Sequence, residues 1–320
     1  MNKAACFLLA SFFPVAASAA NWTQLGLEGA EARVVARHPK KASEVYVIAF
    51  SNPCQIFRSA GGGASWTRLP ILKDILYDLA IHPVTGALFA LGDTEVYKSS
   101  DQGKTWTSLS LGTNNFGFWG QLGFHPSNAN LIYIAGYRQQ AGYRRSMAFL
   151  KSADGGKTWA AQAFEPSSLD GYLYKLAVSP SSPNVIVAAG YFTDTSHRTH
   201  YRLYKSANGG KTWADKTGVL SDLIREIVIH PADPRTFYVA TDFNIWRTAD
   251  AGASWKKNNG YAKGYSLALD PLHPEVLYSG YDAAVYRSLN GGVDWESSST
   301  GVYGTVYDFA FPTDKVLCAT

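Results

Sequence analysis

Short apolar runs alternate with turn-forming residues along almost the whole chain. Three kinds of run recur in order: one that ends in His-Pro or a variant, such as "LAIHP" (79–83), one such as "LIYIA" (131–135), and one that leads into a turn, such as "EVYKS" (95–99). A fourth run begins at the Trp after that turn. Strand-length runs separated by turn residues predict antiparallel sheet, so each unit is interpreted as four strands, A to D.

The turn between strands C and D has one pattern, which occurs six times. It reads "RSAGGGASW", "KSSDQGKTW", "KSADGGKTW", "KSANGGKTW", "RTADAGASW" and "RSLNGGVDW", with the Trp residues spaced by 40, 53, 54, 42 and 40 positions. Four-stranded units that repeat at such intervals predict propeller blades. Dividing residues 20–320 (301 residues) by seven gives 43 per unit. The sequence therefore predicts an all-β fold, a seven-bladed β-propeller of four-stranded antiparallel blades.

The two ends of the chain supply the last blade in this interpretation. "NWTQLGL" (21–27) resembles a D strand, and "VYDFAFPTDKVLCAT" (306–320) reads as strands A and B. We expect the N-terminal strand to close the last blade, which still lacks strand C and its turn. Either the sequence stops about 10–15 residues short of a whole repeat, which we favour, or this blade has exposed edges.

The Asp or Asn of the repeated turn is interpreted as structural. The five positions are Asp101, Asp154, Asn208, Asp250 and Asn290, and the first turn has Gly61 instead. A carboxylate that Asn or Gly replaces is not needed for its charge, and Asp or Asn in a tight turn accepts hydrogen bonds from nearby backbone N–H groups. The turn lacks the acids of a calcium loop and the helix of a phosphate loop. We therefore predict no metal and no cofactor.

Residues 1–19 predict a secretory signal peptide. They contain an apolar run (4–17) and a small-x-small site, Ala17-Ser18-Ala19. The expected mature protein is one domain, residues 20–320, secreted or periplasmic and monomeric. We expect no membrane span, because no later apolar run is long enough, and no nucleic-acid partner, because the net charge is only +4. Cys54 and Cys318 remain after cleavage, and whether they form a disulfide stays open.

Variable loops place the expected binding site on one face of the propeller. The A–B and C–D turns repeat closely and share the Asp-box face, whereas the B–C and D–A loops vary and share the opposite loop face. Binding residues lie preferentially on variable loops. Two long B–C loops lie in adjacent blades: 137–146 brings in Arg138, Arg144 and Arg145, and 191–202 brings in His197, Arg198, His200 and Arg202. These cations are either solvated or form a patch for an anionic ligand or protein partner.

The beginnings of the A strands supply a second set of candidates. Alignment on the His-Pro pattern places one residue of each unit at the mouth of the central channel: Arg33, Tyr77, Gly120, Tyr174, Arg225, Tyr265 and Tyr307. With Trp119 beside them, these aromatic residues predict a platform that stacks on sugar rings or on a protein partner. The alternative is that the tyrosines only pack between blades.

Carboxylates at the next aligned position raise the question of catalysis. Asp78, Glu226 and Asp308 are weak candidates for the two acids that hydrolysis of a glycosidic bond requires. Glu226 belongs to a unit across the ring from the other two. Whether the protein is an enzyme is therefore open, and a non-catalytic role is favoured.

The S-x-D-x-G-x-T-W pattern resembles the BNR/Asp-box repeat. Proteins with this repeat include sialidases, xyloglucan-hydrolysing glycoside hydrolases, sortilin-type receptors and photosystem II assembly factors, and "HPADPRTFY" (230–238) resembles the xyloglucanase and sortilin versions most. The resemblance implies a propeller that binds a glycan or protein partner through its loop face, or alternatively a glycoside hydrolase. The Arg-Ile-Pro signature of sialidases is absent, and the chain has one propeller where xyloglucanases have two.

Overall fold

The computed structural model describes residues 6–9, 22–24, 27 and 31–319, except 52, 94, 112–115, 118–119, 141–143, 165–168, 261 and 312–315. Within these residues the regular structure consists of β-strands, and all of their pairings are antiparallel. The prediction of an all-β chain of four-stranded antiparallel units is confirmed.

The first three blades follow two N-terminal strands, β1 (Cys6–Leu9) and β2 (Trp22–Gln24). Blade 1 contains β3 (Glu31–Arg37), β4 (Val45–Phe50), β5 (Gln55–Ser59) and β6 (Thr67–Arg68). Blade 2 contains β7 (Asp78–Ile81), β8 (Leu88–Leu91), β9 (Val96–Ser99) and β10 (Thr107–Leu109). Blade 3 contains β11 (Phe116–Gly117), β12 (Leu122–Phe124), β13 (Ile132–Gln139), β14 (Arg145–Ser152) and β15 (Ala160–Ala163). Its strand A is divided, because β11 and β12 both pair with β13.

Three further blades and two C-terminal strands complete the chain. Blade 4 contains β16 (Asp170–Val178), β17 (Ile186–Thr193), β18 (Thr199–Ser206) and β19 (Ala214–Asp215). Blade 5 contains β20 (Ile224–Ile229), β21 (Phe237–Thr241), β22 (Ile245–Thr248) and β23 (Lys256–Lys257). Blade 6 contains β24 (Ser266–Leu269), β25 (Leu277–Tyr281), β26 (Ala284–Ser288) and β27 (Glu296–Ser297). The last two strands are β28 (Asp308–Ala310) and β29 (Val316–Ala319).

The prediction of seven blades is wrong, because the structure has six. Each blade is built from one continuous stretch of chain, and the described residues after blade 6 supply two strands, too few for another. The chain ends form a composite sheet instead, in the order β2-β1-β29-β28. Its N-terminal strand β2 lies at the outer edge, as expected for a D strand. The position expected to lack a strand is taken by β1, which pairs with β2 and β29 and comes from the predicted signal peptide.

Burial along the strands explains why the blades stack around a ring. Strand B is buried on both faces, as in β4, because each blade packs against two neighbours. Several outer D strands are exposed and polar, as in β23 with its two lysines, which protects the sheet edge from pairing with other chains. Hydrophobic clusters fill the spaces between adjacent sheets, and each Asp-box Trp packs on one of them. The A strands surround a central channel.

Side chains of the repeated turn form hydrogen bonds within the turn itself. In blade 3, the Thr158 N–H and hydroxyl donate to the two oxygens of Asp154 (2.9 and 2.6 Å), and the Gly156 N–H donates to the buried Ser152 hydroxyl (2.8 Å). Gly156 has a φ of 94°, which favours glycine. The hydrogen bonds from Thr158 lower the pKa of Asp154 to about 2. The backbone hydrogen bond recurs at Asp101, Asn208, Asp250 and Asn290. At the two asparagines the side-chain amide donates the second bond, to Thr212 and Asp294.

The His-Pro pattern marks a second structural turn on the same face. The Nδ1 atom of His82 accepts a hydrogen bond from the Val84 N–H (3.1 Å), and His230 accepts from Ala232 in the same way (3.2 Å). In blade 6 an aspartate, Asp270, takes this role. Any short side chain with an acceptor fits, which explains why His, Ser and Asp alternate at this position.

Cys54 is a buried free thiol in the structure. A disulfide at Cys54 is therefore not formed, and the side chain of Cys318 lies outside the described residues.

Candidate functional site

A cavity of about 590 Å³ opens on the loop face at the mouth of the channel. Five of the predicted aromatic and cationic residues line it, one from each of five sheets: Tyr77, Tyr174, Arg225, Tyr265 and Tyr307. Gly120 is a sixth aligned residue in the lining, Arg33 is not part of it, and Lys175, Asp282 and Thr305 add polar groups. The alignment on the His-Pro pattern thus brought together residues that share one cavity. Their role in binding stays a prediction.

β-Bulges position several of these side chains. The register of strand A shifts around Tyr174 in blade 4, between Leu173 and Lys175, and around Arg225 in blade 5, between Ile224 and Glu226. A bulge adds one unpaired residue to a strand and redirects its side chain, often beside a binding site. The extra residue lines the cavity in both cases. Arg33 occupies the same bulged position in blade 1 but pairs with Glu31 and stacks on Phe50 instead.

Neighbouring side chains contact the tyrosines that line the cavity. Tyr265 stacks on Tyr281 with ring centroids 4.6 Å apart, and a hydrogen bond between their hydroxyls raises the pKa of Tyr265 to about 12. Tyr77 donates to Asp93 (3.4 Å). The hydroxyl of Tyr174 is buried and has no hydrogen-bond acceptor among the described residues.

The candidate catalytic carboxylates do not line the cavity. Asp78 accepts hydrogen bonds from the N–H groups of Leu79 (2.9 Å) and of Leu122 in blade 3 (2.8 Å). Asp308 accepts from Phe309 (2.8 Å) and from Val35 in blade 1 (3.0 Å). Burial is the main cause that raises the pKa of Asp78 to about 6 and that of Asp308 to about 7.

Each of these carboxylates therefore links its own sheet to the next one. Other residues at the same aligned position do so too: Gln121 accepts from the Leu176 N–H (3.0 Å), and Ser266 donates to the Val306 carbonyl (3.1 Å). Glu226 is bound by Lys175 of the preceding blade, with Nζ 2.7 Å from Oε2. The lysine is close enough to Asp78 and Asp308 for both to favour its charged form. This ring of side chains fastens the blades together.

The cations of the loop face are mostly paired with acids. Arg145 pairs with Asp170 (3.0 Å), and Arg225 pairs with Asp242 (2.6 Å). Arg138 and Arg144 are exposed. The predicted anion patch is thus partly neutralised within the protein. Trp119, predicted beside the tyrosines, lies outside the described residues.

Sequence reasoning missed a row of tyrosines beside the cavity. Tyr172, Tyr191 and Tyr201 lie directly opposite one another on β16, β17 and β18, and Tyr172 also lines the cavity. We call these three residues the tyrosine row. The signal in the sequence was a Tyr in each of three consecutive strand-forming runs, but its meaning depends on the pairing register, which the sequence alone does not give.

Comparisons with known proteins agree with the repeat and the fold. The Sortilin-Vps10 family (sortilin, neurotensin receptor 3) matches residues 54–200. A xyloglucanase of Hypocrea jecorina (strain QM6a) is 26% identical over 50% of this chain, and the match spans only 22% of that enzyme.

Solved structures give the same fold at low identity. An ancestral GH74 enzyme aligns with a TM-score of 0.64 and 18% identity, over 88% of this chain and 40% of the enzyme. YCF48 from Cyanidioschyzon merolae aligns with a TM-score of 0.63 and 13% identity, over 93% of this chain and 98% of its own. A structure of YCF48 bound to D1 peptide aligns with a TM-score of 0.61 and 14% identity, over 91% and 93% of the two chains.

No helix in the described part of the chain could cross a membrane. The repeated turns, the blades and these likenesses together support a β-propeller fold of the BNR type.

Proposed function

We propose that this protein is a non-catalytic propeller whose loop face binds a carbohydrate or protein partner in the tyrosine-lined cavity. The observation that carries the proposal is that two adjacent rings of residues make different contacts. Tyrosines face the cavity, whereas Asp78 and Asp308 are committed to backbone N–H groups of neighbouring sheets. Hydrolysis needs two carboxyls that face the substrate, and these two do not.

Charge pairing supports a ligand of low net charge. The two cations that line the cavity, Lys175 and Arg225, each pair with an acid, Glu226 and Asp242. A paired cation attracts an anionic ligand less than a free one does. Tyrosine contributes contact area and a hydroxyl donor, which suits both sugars and polypeptide. The relative YCF48 has been solved with a bound peptide, so a propeller of this fold is compatible with a protein partner.

Secretion or a periplasmic location is part of the same proposal and depends on the sequence of residues 1–19. Mass spectrometry of the exported protein tests it. The expected N-terminal residue is Ala20, and an exported protein that retains residues 1–19 would contradict the location of the cleavage site.

Binding experiments test the role of the cavity. Soluble polysaccharides, beginning with xyloglucan, and a displayed peptide library are the probes, and isothermal titration calorimetry measures affinity. We expect Tyr174→Ala and Tyr265→Ala to weaken any bound probe about tenfold or more, whereas Tyr303→Ala, a loop-face tyrosine that is 80% exposed, leaves affinity unchanged. If no probe of either class binds, or if both cavity variants bind normally, the proposal is wrong.

A glycoside hydrolase is the second candidate function. The likeness to a xyloglucanase favours it, and so does the pKa of Asp308, about 7, which would suit a general acid. It would require the Asp308 carboxyl to leave the Val35 N–H and reach the cavity. The direct test of this alternative is product formation from a polysaccharide.

A further inference from the structure

Blades 2, 3 and 4 carry lysines on the Asp-box face that the repeat itself does not require. Each of these blades has an exposed lysine two positions before the Trp of its repeated turn: Lys104, Lys157 and Lys211. Blades 1, 5 and 6 have Ala64, Ala253 and Val293 at this position and form the same turn, with the glycine N–H bonded to the Ser or Thr hydroxyl. The turn therefore folds without the lysine.

Further lysines lie beside these three. Lys151, at the end of strand C in blade 3, donates from Nζ to the Gly209 carbonyl in the turn of blade 4 (2.9 Å), two residues before Lys211. Burial and then the charge of Lys211 lower the pKa of Lys151, and burial and then the charge of Lys216 lower that of Lys205. The positive surface therefore continues from blade 3 across blade 4.

We call the lysines of this face the lysine patch. It has seven members: Lys98, Lys104, Lys151, Lys157, Lys205, Lys211 and Lys216. The acids beside it are three in blades 2–4 and one in the adjoining turn of blade 5: Asp101, Asp154, Asp215 and Asp250. Seven lysines and four acids leave an excess of three positive charges.

The acids leave the lysines unpaired. Within the described ranges, none of the seven lysines forms a salt bridge. Asp215 pairs with Arg202 instead (3.5 Å), and the box aspartates accept hydrogen bonds from their own turns, as Asp154 does from Thr158. Blade 4 has the neutral Asn208 in place of a box aspartate. The patch thus favours an anionic ligand.

The lysine patch has the surface of neither a protein interface nor a membrane-binding face. The exposed residues between the lysines are small or polar, and they include Ser100, Thr105, Ala153, Thr158, Ala207 and Thr212. Among the described residues, no exposed large apolar side chain lies in the A–B or C–D turns of blades 2–4. Protein interfaces have an apolar core with few lysines, and membrane-binding surfaces insert apolar side chains beside basic ones.

A polysaccharide fits the patch better than a nucleic acid does. Arginine is the preferred residue for bidentate phosphate contacts, and exposed aromatic rings stack on single-stranded bases. The cations of the patch are all lysines, and the Trp residues of its turns pack on hydrophobic clusters: Trp106, Trp159 and Trp213. An acidic polysaccharide offers carboxylates at regular intervals, which match ammonium groups repeated on three adjacent blades.

We propose that the lysine patch binds a linear acidic polysaccharide on the Asp-box face. Lys104, Lys157 and Lys211 would pair with carboxylates along one chain. Blade 4 would hold this chain most strongly, because Asn208 carries no charge there and Lys151 reaches across from blade 3. The patch lies on the face opposite the tyrosine-lined cavity, so the inference goes beyond the proposed function and does not depend on it.

Calorimetric titration with polygalacturonate at low salt tests this assignment. The triple variant Lys104→Ala/Lys157→Ala/Lys211→Ala introduces the residue that blades 1 and 5 have at this position, so it should fold, and its urea midpoint checks that it does. We expect the wild type to bind with an affinity that falls as salt rises. The triple variant should bind about tenfold more weakly or worse.

A charge-matched variant separates the patch from net charge. Lys73→Ala/Lys256→Ala/Lys257→Ala removes the same number of positive charges at exposed positions outside the patch, and it should weaken binding by about twofold at most. If polygalacturonate does not bind, or if both triple variants weaken its binding equally, the inference is wrong. Duplex DNA or phosphatidylglycerol vesicles that bind as tightly at the same ionic strength would also contradict a polysaccharide site.

Failure of this inference is distinguishable from failure of the proposed function. Loss of polygalacturonate binding in Tyr265→Ala, with the patch variant unaffected, would place the acidic glycan in the cavity. That result would contradict the inference and support the proposed function.

Discussion

Replacing Asp78 with alanine should destabilise the propeller, and by an amount that depends on pH. Asp78 is 8% exposed, and its two oxygens accept from the N–H groups of Leu79 and Leu122. The substitution leaves two buried donors without partners, at a cost of about 1–3 kcal/mol each. It also removes a buried carboxyl whose pKa is raised to about 6, mainly by burial.

The sign of the pH dependence follows from that raised pKa. When folding raises the pKa of an acid, the fold is most stable at a pH where the acid is protonated in both the folded and the unfolded state. This stability is lost as pH rises through the pKa of the folded state. The wild type should therefore lose stability at Asp78 between about pH 4 and pH 7, and the alanine variant should not. We expect Asp78→Ala to cost about 2–5 kcal/mol at pH 5, and about 1–2 kcal/mol less at pH 8.

Urea denaturation at pH 5 and pH 8 measures both free energies of unfolding. Glu275→Ala is the matched control, because it removes an exposed carboxylate on the Asp-box face. If Asp78→Ala is as stable as the wild type at pH 5, the interblade hydrogen bond contributes nothing. A cost that does not decrease at pH 8 would show that the carboxyl titrates normally.

Two further substitutions test the other structural claims. Ser152→Ala leaves the buried Gly156 N–H unpaired and should cost about 1–3 kcal/mol of unfolding free energy; an unchanged urea midpoint would contradict the role of this hydroxyl in the repeated turn. Lys175→Met removes the cation beside three acids, two of them Asp78 and Asp308, and should cost about 2–3 kcal/mol at pH 8 and less at pH 5, where Asp78 and Asp308 are more protonated. Equal costs at both pH values would argue against an electrostatic interaction between Lys175 and these acids.

Most of the fold could be predicted from the sequence because the repeat is local. Each turn such as 152–159 specifies its own hydrogen bonds within eight residues, so strands C and D are recognisable one unit at a time. The composite sheet could not be predicted in this way. Its order depends on pairing between residues 6–9, 22–24 and 316–319, which are far apart in the chain and carry no turn signal. The prediction of a seventh blade was wrong for this reason.

The candidate site could be predicted only in part, for a related reason. Tyr77, Tyr174 and Tyr265 were found because aligned positions of equivalent strands must surround the same axis. Asp78 and Asp308 accept hydrogen bonds from the backbone of neighbouring sheets, and Arg225 pairs with Asp242. These are contacts between strands or sheets. Such contacts depend on register and bulges, which hydrophobic patterns do not specify.

Product analysis of polysaccharides incubated with the protein tests the central claim most directly. Reducing ends and chain lengths of xyloglucan are measured over time with the wild type and with Asp308→Asn, alongside the binding titration on the same samples. We predict no change in chain length with either protein, because neither Asp78 nor Asp308 faces the cavity. Release of shorter chains by the wild type, abolished in a folded Asp308→Asn variant, would contradict a non-catalytic function.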